Sequence, residues 1–269
     1  MRNRSRAARG RAVVLCLGLL SVAAFLGNAQ ADALDDILER GTVRIAVPND
    51  FAPFGSVAAD GALEGYDIDV ANAVARALGV ELESVVARSF NRIPLLLSGD
   101  ADLVISCLGI DPVRAKAIAF SSPYGPFFSA VYGASDLQVE GPEGLVGKRV
   151  AVTRDTLEDG DLKVFAPDGA EIVRYDDNGR TLSAFMSGEV DLVATGNTAM
   201  AHVLSGKPQA AIEAKIVLRN SPCSIGVRYS EPRLLHWVNV FVLTKKLNGE
   251  LDRLSRQWLG GALPDLPVL

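Results

Sequence analysis

"LLLSGDADLVIS", residues 95–106, is spelled a second time as "AFMSGEVDLVAT", residues 184–195, 89 positions later. A second pair lies upstream of each copy: "RIAVPND" from Arg44 is answered by "RVAVTRD" from Arg149. The two echoes run in the same order, which implies two halves of like construction and points to their junction as the place of function.

Working outward, "TVRIAV" is β-branched and bounded by Gly41 and Pro48, so it reads as a buried strand. "YDIDVANAVARALG" has apolar residues at helical spacing and a Gly79 stop, and "VELESVVA" alternates as a strand. "NRIPLLLSG" is a short helix ending at Gly99, and "ADLVIS" a third strand. The order restarts with "KRVAVT", "TLEDGDLKVFA", "AEIVRYD", "GRTLSAFMSG" and "VDLVATG", and the chain ends in helical "EPRLLHWVNVFVLTKKLN" and "GELDRLSRQWLG". Each "SG-x-x-DLV" is then the turn and third strand of a βαβαβ unit, one per half. This α/β order implies mostly parallel sheets with helices on both faces. Ligands of open α/β sheets bind outside the carboxyl ends of the strands, here 48–54, 87–92, 106–114, 153–158 and 195–197.

Five arginines among residues 2–11, the apolar run "AVVLCLGLLSVAAFL" and a small-x-small "AQA" ending at Ala31 have the order of a cleaved secretory signal. The run is short of the roughly 20 residues of a membrane span, and no later segment is long and apolar enough for one. Cleavage after Ala31 leaves 22 basic residues against 32 acidic ones, a balance that argues against a nucleic-acid partner. Cys107 and Cys223 remain, in a compartment that permits one bridge. His202 and His236 lie at no metal-ligand spacing, and there is no Gly-rich phosphate loop or nucleophile motif, so no cofactor, metal or catalytic residue is expected.

The strand ends carry the candidate site. Arg92, in "SFNRIP", and Arg114, in "GIDPVRAK", follow the second and third strands, where a guanidinium can hold a carboxylate by two parallel bonds. Phe51 and Phe54 lie beyond the first strand, as core or as pocket floor. In the second half "TRDTLED" offers Thr153, Asp155, Thr156 and a helix start that favours an anion, though helix capping alone also accounts for Asp155 or Thr156. "ATGN" adds Thr195 and Asn197. Trp237 and Trp258 read as core.

With "GTVRIAVPNDFAPF", "GALEGYDIDVANAVARALGV", "NRIPLLLSGDADLVIS", "PVRAKAIAFSSPY", "GKRVAVTRDTLED" and "SGEVDLVATGN" in this order, the chain resembles the bacterial extracellular solute-binding proteins of family 3. These are periplasmic receptors that feed polar amino-acid ABC transporters. The resemblance implies the type II periplasmic-binding-protein fold: residues 32–125 and 223–269 form lobe 1, residues 126–222 form lobe 2, and hinge closure clamps a small ligand in the cleft between them. It implies a monomer partnered by a transporter permease. By position it makes Phe51 the aromatic on the ligand, Arg114 the α-carboxylate arginine, Ser89 and Arg92 side-chain contacts, and Thr156 a second-lobe contact to the carboxylate. It also sets Cys223, on the returning strand, beside Cys107, so that the two are candidates for a disulfide at the ligand site.

Two positions depart from that pattern. Gly109 stands where a hydroxyl residue is usual, and Gly196 where an aspartate usually partners the ligand ammonium. An unpartnered buried ammonium is costly. Either Asp155 takes it from a neighbouring loop, or the ligand is a carboxylate without a primary amine. Two competing functions share the scaffold. One is an enzyme resembling exported cyclohexadienyl dehydratases, with Glu158 or Asp155 as the acid; the other is a receptor that reports to a signalling partner.

Overall fold

The computed structural model describes residues 32–207 and 209–267. The secretory-signal reading of residues 1–31 lies outside the described residues. Among those described, no helix is long and apolar enough to cross a membrane.

Helix α1 (Ala33–Arg40) is capped by the Asp32 carboxylate, which accepts from Leu34 N–H, and leads into β1 (Thr42–Pro48). A two-residue hairpin, β2 (Ser56–Val57) and β3 (Leu63–Glu64), precedes α2 (Tyr66–Leu78). Strand β4 (Glu81–Ala87), α3 (Arg92–Ser98) and β5 (Leu103–Gly109) complete the first unit, and β6 (Ala119–Phe120) follows. The chain then enters β7 (Phe128–Ala134), β8 (Arg149–Thr153), α4 (Leu157–Phe165), β9 (Glu171–Tyr175), α5 (Asn178–Met186), β10 (Leu192–Gly196), α6 (Asn197–Ser205) and β11 (Ile212–Asn220). It ends with β12 (Cys223–Val227), α7 (Pro232–Leu247) and α8 (Glu250–Trp258).

Two five-stranded sheets result, in the orders β4-β1-β5-β12-β6 and β11-β7-β10-β8-β9. In each, three strands of a βαβαβ unit run parallel: β1 with β4 and β5, and β8 with β9 and β10. Antiparallel strands widen both sheets, because the connecting segments join them: β12 pairs with β5, and β7 with β10 and β11. The sheets are thus mixed, and the sequence reading passed over β7 and β11. Both faces of each sheet are covered. Ile45 and Ile105 pack towards α2, α7 and α8, whereas Ala46 and Val104 face the cluster around Leu96 of α3. In the second sheet Ala151 and Val193 meet Phe185 of α5, and Val150 and Leu192 meet Leu162 of α4.

The repeated text has one physical cause. Asp102 Oδ2 accepts the Arg44 backbone N–H at 2.8 Å, and Asp102 N–H donates to the Arg44 carbonyl at 2.8 Å. In the other half Asp191 Oδ2 accepts the Arg149 N–H at 2.8 Å, and Asp191 N–H donates to the Arg149 carbonyl at 3.0 Å. The Asp of each "DLV" thus closes the first β-ladder on the strand beginning "R-x-A-V", and satisfies a backbone donor that would otherwise be left at the sheet end.

The chain crosses between the sheets twice, and the crossings lie side by side. Ser221 N–H donates to the Phe127 carbonyl at 3.0 Å, and Cys223 N–H to the Gly125 carbonyl at 2.9 Å. Cys107 and Cys223 form a disulfide that ties the end of β5 to the start of β12, with a Cα separation of 4.3 Å.

Candidate functional site

The carboxyl ends of β1, β5, β8 and β10 converge on one cavity between the two sheets. Its wall on the side of the first sheet carries Phe51, Ser89, Arg92, Cys107, Gly109 and Arg114. The facing wall carries Thr153, Thr156, Leu157, Glu158, Asn178 and Thr195, and Phe127 and Gly196 close the cavity at the crossings.

Arg92 opens α3 and is only 6% exposed. Its Nη1 donates to the Ser106 carbonyl at 2.6 Å, while its Nε has no partner among the described residues. Burial, then the like charge of Arg114, pulls its pKa down to about 9. Arg114, half-buried after β5, reaches across the cavity: Nη1 donates to the Gly109 carbonyl at 3.2 Å and Nη2 to the Asp155 carbonyl, on the opposite wall, at 3.0 Å. Burial lowers its pKa too. Glu158, in the first turn of α4, is 6% exposed, and burial raises its pKa against the pull of its own N–H, Thr156 and the two arginines. None of the ion pairs among the described residues involves Arg92, Arg114 or Glu158.

Behind Arg92 sits a fully buried carboxyl. Asp67 of α2 accepts the Tyr124 hydroxyl at 2.6 Å through Oδ1, and its Oδ2 has no partner among the described residues. Burial pushes its pKa up to about 7. The Tyr124 hydroxyl in turn accepts the Cys107 N–H at 3.1 Å, which fixes the backbone beside the disulfide, where Cys107 has a φ of 35°.

On the aromatic side, the Phe51 ring stacks on Phe54 with centroids 5.2 Å apart and meets Phe127 edge-on at 6.3 Å. Phe54 itself is fully buried and belongs to the core. Thr156 caps α4, accepting the Asp159 N–H at 3.2 Å and donating to the Thr153 carbonyl at 2.8 Å.

Two of the expected ligand contacts lie elsewhere. The Asp155 side chain lines a surface hollow with Arg88, Phe90, Arg154 and Asp176, so only its carbonyl meets the site, through Arg114. Asn197 opens α6, and its Oδ1 accepts the Phe128 N–H at 3.0 Å, fastening the crossing outside the cavity.

Five cavity residues, Ala194 among them, are not singled out by the sequence in that role. Asn178 starts α5, and its N–H donates to Asp50 Oδ2 across the cleft at 3.1 Å. Glu158 had been weighed only as an enzyme's acid. Leu157 and Phe127 carried no signal, since each reads as an ordinary core residue. Yet a Cβ at Gly109 would collide with the Leu157 side chain and the Ser221 hydroxyl, and one at Gly196 with the Phe127 ring. The two glycines make room for these groups.

A cleft of this kind between two mixed α/β sheets has counterparts among known proteins. The family model of bacterial extracellular solute-binding proteins, family 3, matches residues 43–261. The chain belongs to that family. The L-cystine-binding protein TcyJ of Escherichia coli (strain K12) is 26% identical over 256 residues, which cover 91% of this chain and 94% of that protein. A crystal structure of the P235GK mutant of ArgBP from T. maritima superposes with a TM-score of 0.78 at 31% identity, covering 85% of this chain and 99% of that one. An ancestral amino acid-binding protein, a precursor of cyclohexadienyl dehydratase, gives a TM-score of 0.76 at 31% identity, covering 85% and 100%. As a member of this family the chain has the type II periplasmic-binding-protein fold, and its relatives include amino-acid-binding proteins, among them an ABC transporter glutamine-binding protein of Bacillus subtilis (strain 168).

Proposed function

We propose that this chain is the exported ligand receptor of an ABC importer. Residues 1–31 are removed after Ala31, and the protein works as a periplasmic monomer. Lobe 1 (32–125 and 223–269) and lobe 2 (126–222) close by hinge motion on a small carboxylate and present it to a permease. One observation carries this reading: two buried or half-buried guanidiniums, Arg92 and Arg114, face a cavity between two sheets without a carboxylate partner from the protein. Desolvated cations of that kind are favourable only when an anion joins them.

In this role Arg114 takes a ligand carboxylate, with Thr156 and the start of α4 supplying further donors. Phe51 covers the ligand body, and Ser89 and Arg92 contact its far end. The cross-cleft bonds Asn178–Asp50 and Arg114–Asp155 hold the closed form together. Arg114→Ala leaves a buried carboxylate unpaired, a loss of about 3 kcal/mol or roughly a hundredfold in Kd, with the fold retained. Calorimetry with a panel of amino acids and small carboxylates measures it; unchanged affinity in the variant removes Arg114 from the role.

Glu158 supports a second reading. A buried carboxyl with a raised pKa inside a cavity is what a general acid requires, and one structural relative is a precursor of a dehydratase. Its place in the first turn of α4, where the helix dipole favours a carboxylate, explains it without catalysis. Incubation with prephenate or arogenate decides: turnover abolished in Glu158→Gln establishes the enzyme, and no turnover leaves the receptor.

A further inference from the structure

We infer that the cavity selects a short dicarboxylate carrying no ammonium group, and that Phe127 and Leu157 enforce this choice. The inference rests on the receptor reading above and concerns the class of ligand.

The charge on the walls sets the first half of the argument. Arg92 and Arg114 are the two cations of the lining, and Glu158 is its one carboxylate. The Arg92 Nε is buried without an acceptor, so this guanidinium has a donor still to satisfy inside the molecule. Arg114 has spent one nitrogen on each wall and keeps the remaining N–H groups of a five-donor fork. A monocarboxylate would answer one of these cations and leave the other desolvated. Two carboxylates on a short chain answer both. Asp67 does not substitute for the second, because it lies behind Arg92, outside the cavity lining and bonded to Tyr124.

The apolar wall sets the second half. An α-ammonium buried in such a site needs acceptors, preferably a carboxylate. The Phe127 ring occupies the space of any side chain at Gly196, and Leu157 together with the Ser221 hydroxyl the space of any side chain at Gly109, so neither position can itself offer an oxygen beyond its own backbone. Together with Phe51 and the Cys107–Cys223 bridge they form a hydrocarbon and sulfur surface suited to methylene groups. Of the polar atoms nearby, Asn178 Oδ1 is engaged with the Thr153 hydroxyl at 3.1 Å, and the Thr156 hydroxyl with the Thr153 carbonyl and the Asp159 N–H. The hydroxyls that remain, those of Ser89 and Thr195 on the lining and of Ser221 beside Gly109, are neutral and carry no charge to match an ammonium. Glu158 shares the lining with both guanidiniums, whose like charge repels an ammonium approaching it.

The test is calorimetry on the purified protein with sets matched in chain length. Succinate is set beside L-aspartate and butanoate, glutarate beside L-glutamate and pentanoate, and adipate beside L-2-aminoadipate and hexanoate. The 2-oxo diacids and the common amino acids complete the panel. In at least one set the dicarboxylate, plain or 2-oxo, is expected to bind about tenfold or more tighter than the amino diacid and the monoacid. Arg92→Gln should erase its advantage over the monoacid. The paired change Phe127→Ala with Gly196→Asp, which opens the wall and adds a carboxylate, should shift preference by about tenfold towards the amino diacid.

An amino acid that binds at least as tightly as its deaminated counterpart overturns the inference and leaves the receptor reading standing. So does a monoacid equal to its diacid, or a ligand found only outside these sets. If nothing in the panel binds, both fall. Should the paired variant fail to fold, as judged by thermal unfolding, the wild-type ranking and Arg92→Gln still decide.

Discussion

The ring of Phe127 fills the space that a side chain at residue 196 would need. Phe127 ends the outward crossing and Gly196 ends β10, so the two meet where the sheets join. Gly196 has φ −75° and ψ 148°, a conformation open to any residue, and its need for glycine is therefore steric rather than conformational. Gly196→Ala should cost about 1–3 kcal/mol by overpacking. The urea midpoint falls with the slope unchanged, and Phe127→Leu in the same chain recovers part of the loss. A neutral Gly196→Ala would mean that the ring can leave this space cheaply.

The repeat was legible in the sequence because both copies do the same backbone job. An Asp that bonds one particular residue of a neighbouring strand must be spelled at one fixed place, and Asp102 and Asp191 are. Arg92, Arg114 and Thr156 were legible because strand ends and helix starts are marked by their flanking residues. Phe127 and Leu157 were not. Their role depends on the absence of a side chain on a distant strand, and such an absence has no local pattern. For Asp155 the sequence fixes the position in the loop, but not the left-handed backbone that sets the direction in which its side chain leaves the chain.

Closure rests on few polar contacts between the lobes. Asp50 accepts from Asn178, Arg114 donates to the Asp155 carbonyl, Arg219 pairs with Asp111 at 3.2 Å, and Arg88 pairs with Asp177 at 3.2 Å, the last a half-exposed pair of small intrinsic worth. Arg88→Ala should therefore leave global stability within about 0.5 kcal/mol. With a ligand in hand, the same variant should release it several-fold faster, since the pair exists only while the lobes are together. Stopped-flow release and chemical denaturation separate the two effects, and an unchanged release rate would show that the Arg88–Asp177 pair does not hold the cleft shut.

The Cys107–Cys223 bridge spans 116 residues, and so it encloses the whole excursion through the second sheet. On the chain-entropy model such a loop is worth about 4–5 kcal/mol. For a chain of this length that is a fall of roughly 10 °C in Tm when both cysteines become alanine. Because Cys107 also lines the cavity, ligand affinity should drop alongside stability. A stable double variant with intact affinity would make the bridge dispensable to both.

Asp67 gives the last prediction, on pH. Its carboxyl is fully buried and its pKa is pushed up to about 7, against about 3.9 for an unfolded aspartate. The folded state therefore binds this proton more tightly than the unfolded one. Its contribution is complete below the unfolded pKa and is lost as pH rises towards 7, at up to about 1.4 kcal/mol per unit. Asp67→Asn keeps an oxygen to accept the Tyr124 hydroxyl and has no proton to lose. Other buried acids, Asp50 and Glu158, are also raised, so the absolute stability curve of either protein is composite. The difference between the two proteins isolates Asp67. That difference should be flat below about pH 4, move in favour of the asparagine variant as pH rises, and level off above about pH 7. Arg92, depressed to about 9, titrates beyond this window and does not distort it. Urea denaturation of both proteins from pH 4 to pH 8 measures the curve. A difference that is flat throughout would mean that Asp67 is ionised in the folded protein at ordinary acidity, with the Arg92 charge and the Tyr124 hydroxyl outweighing its burial.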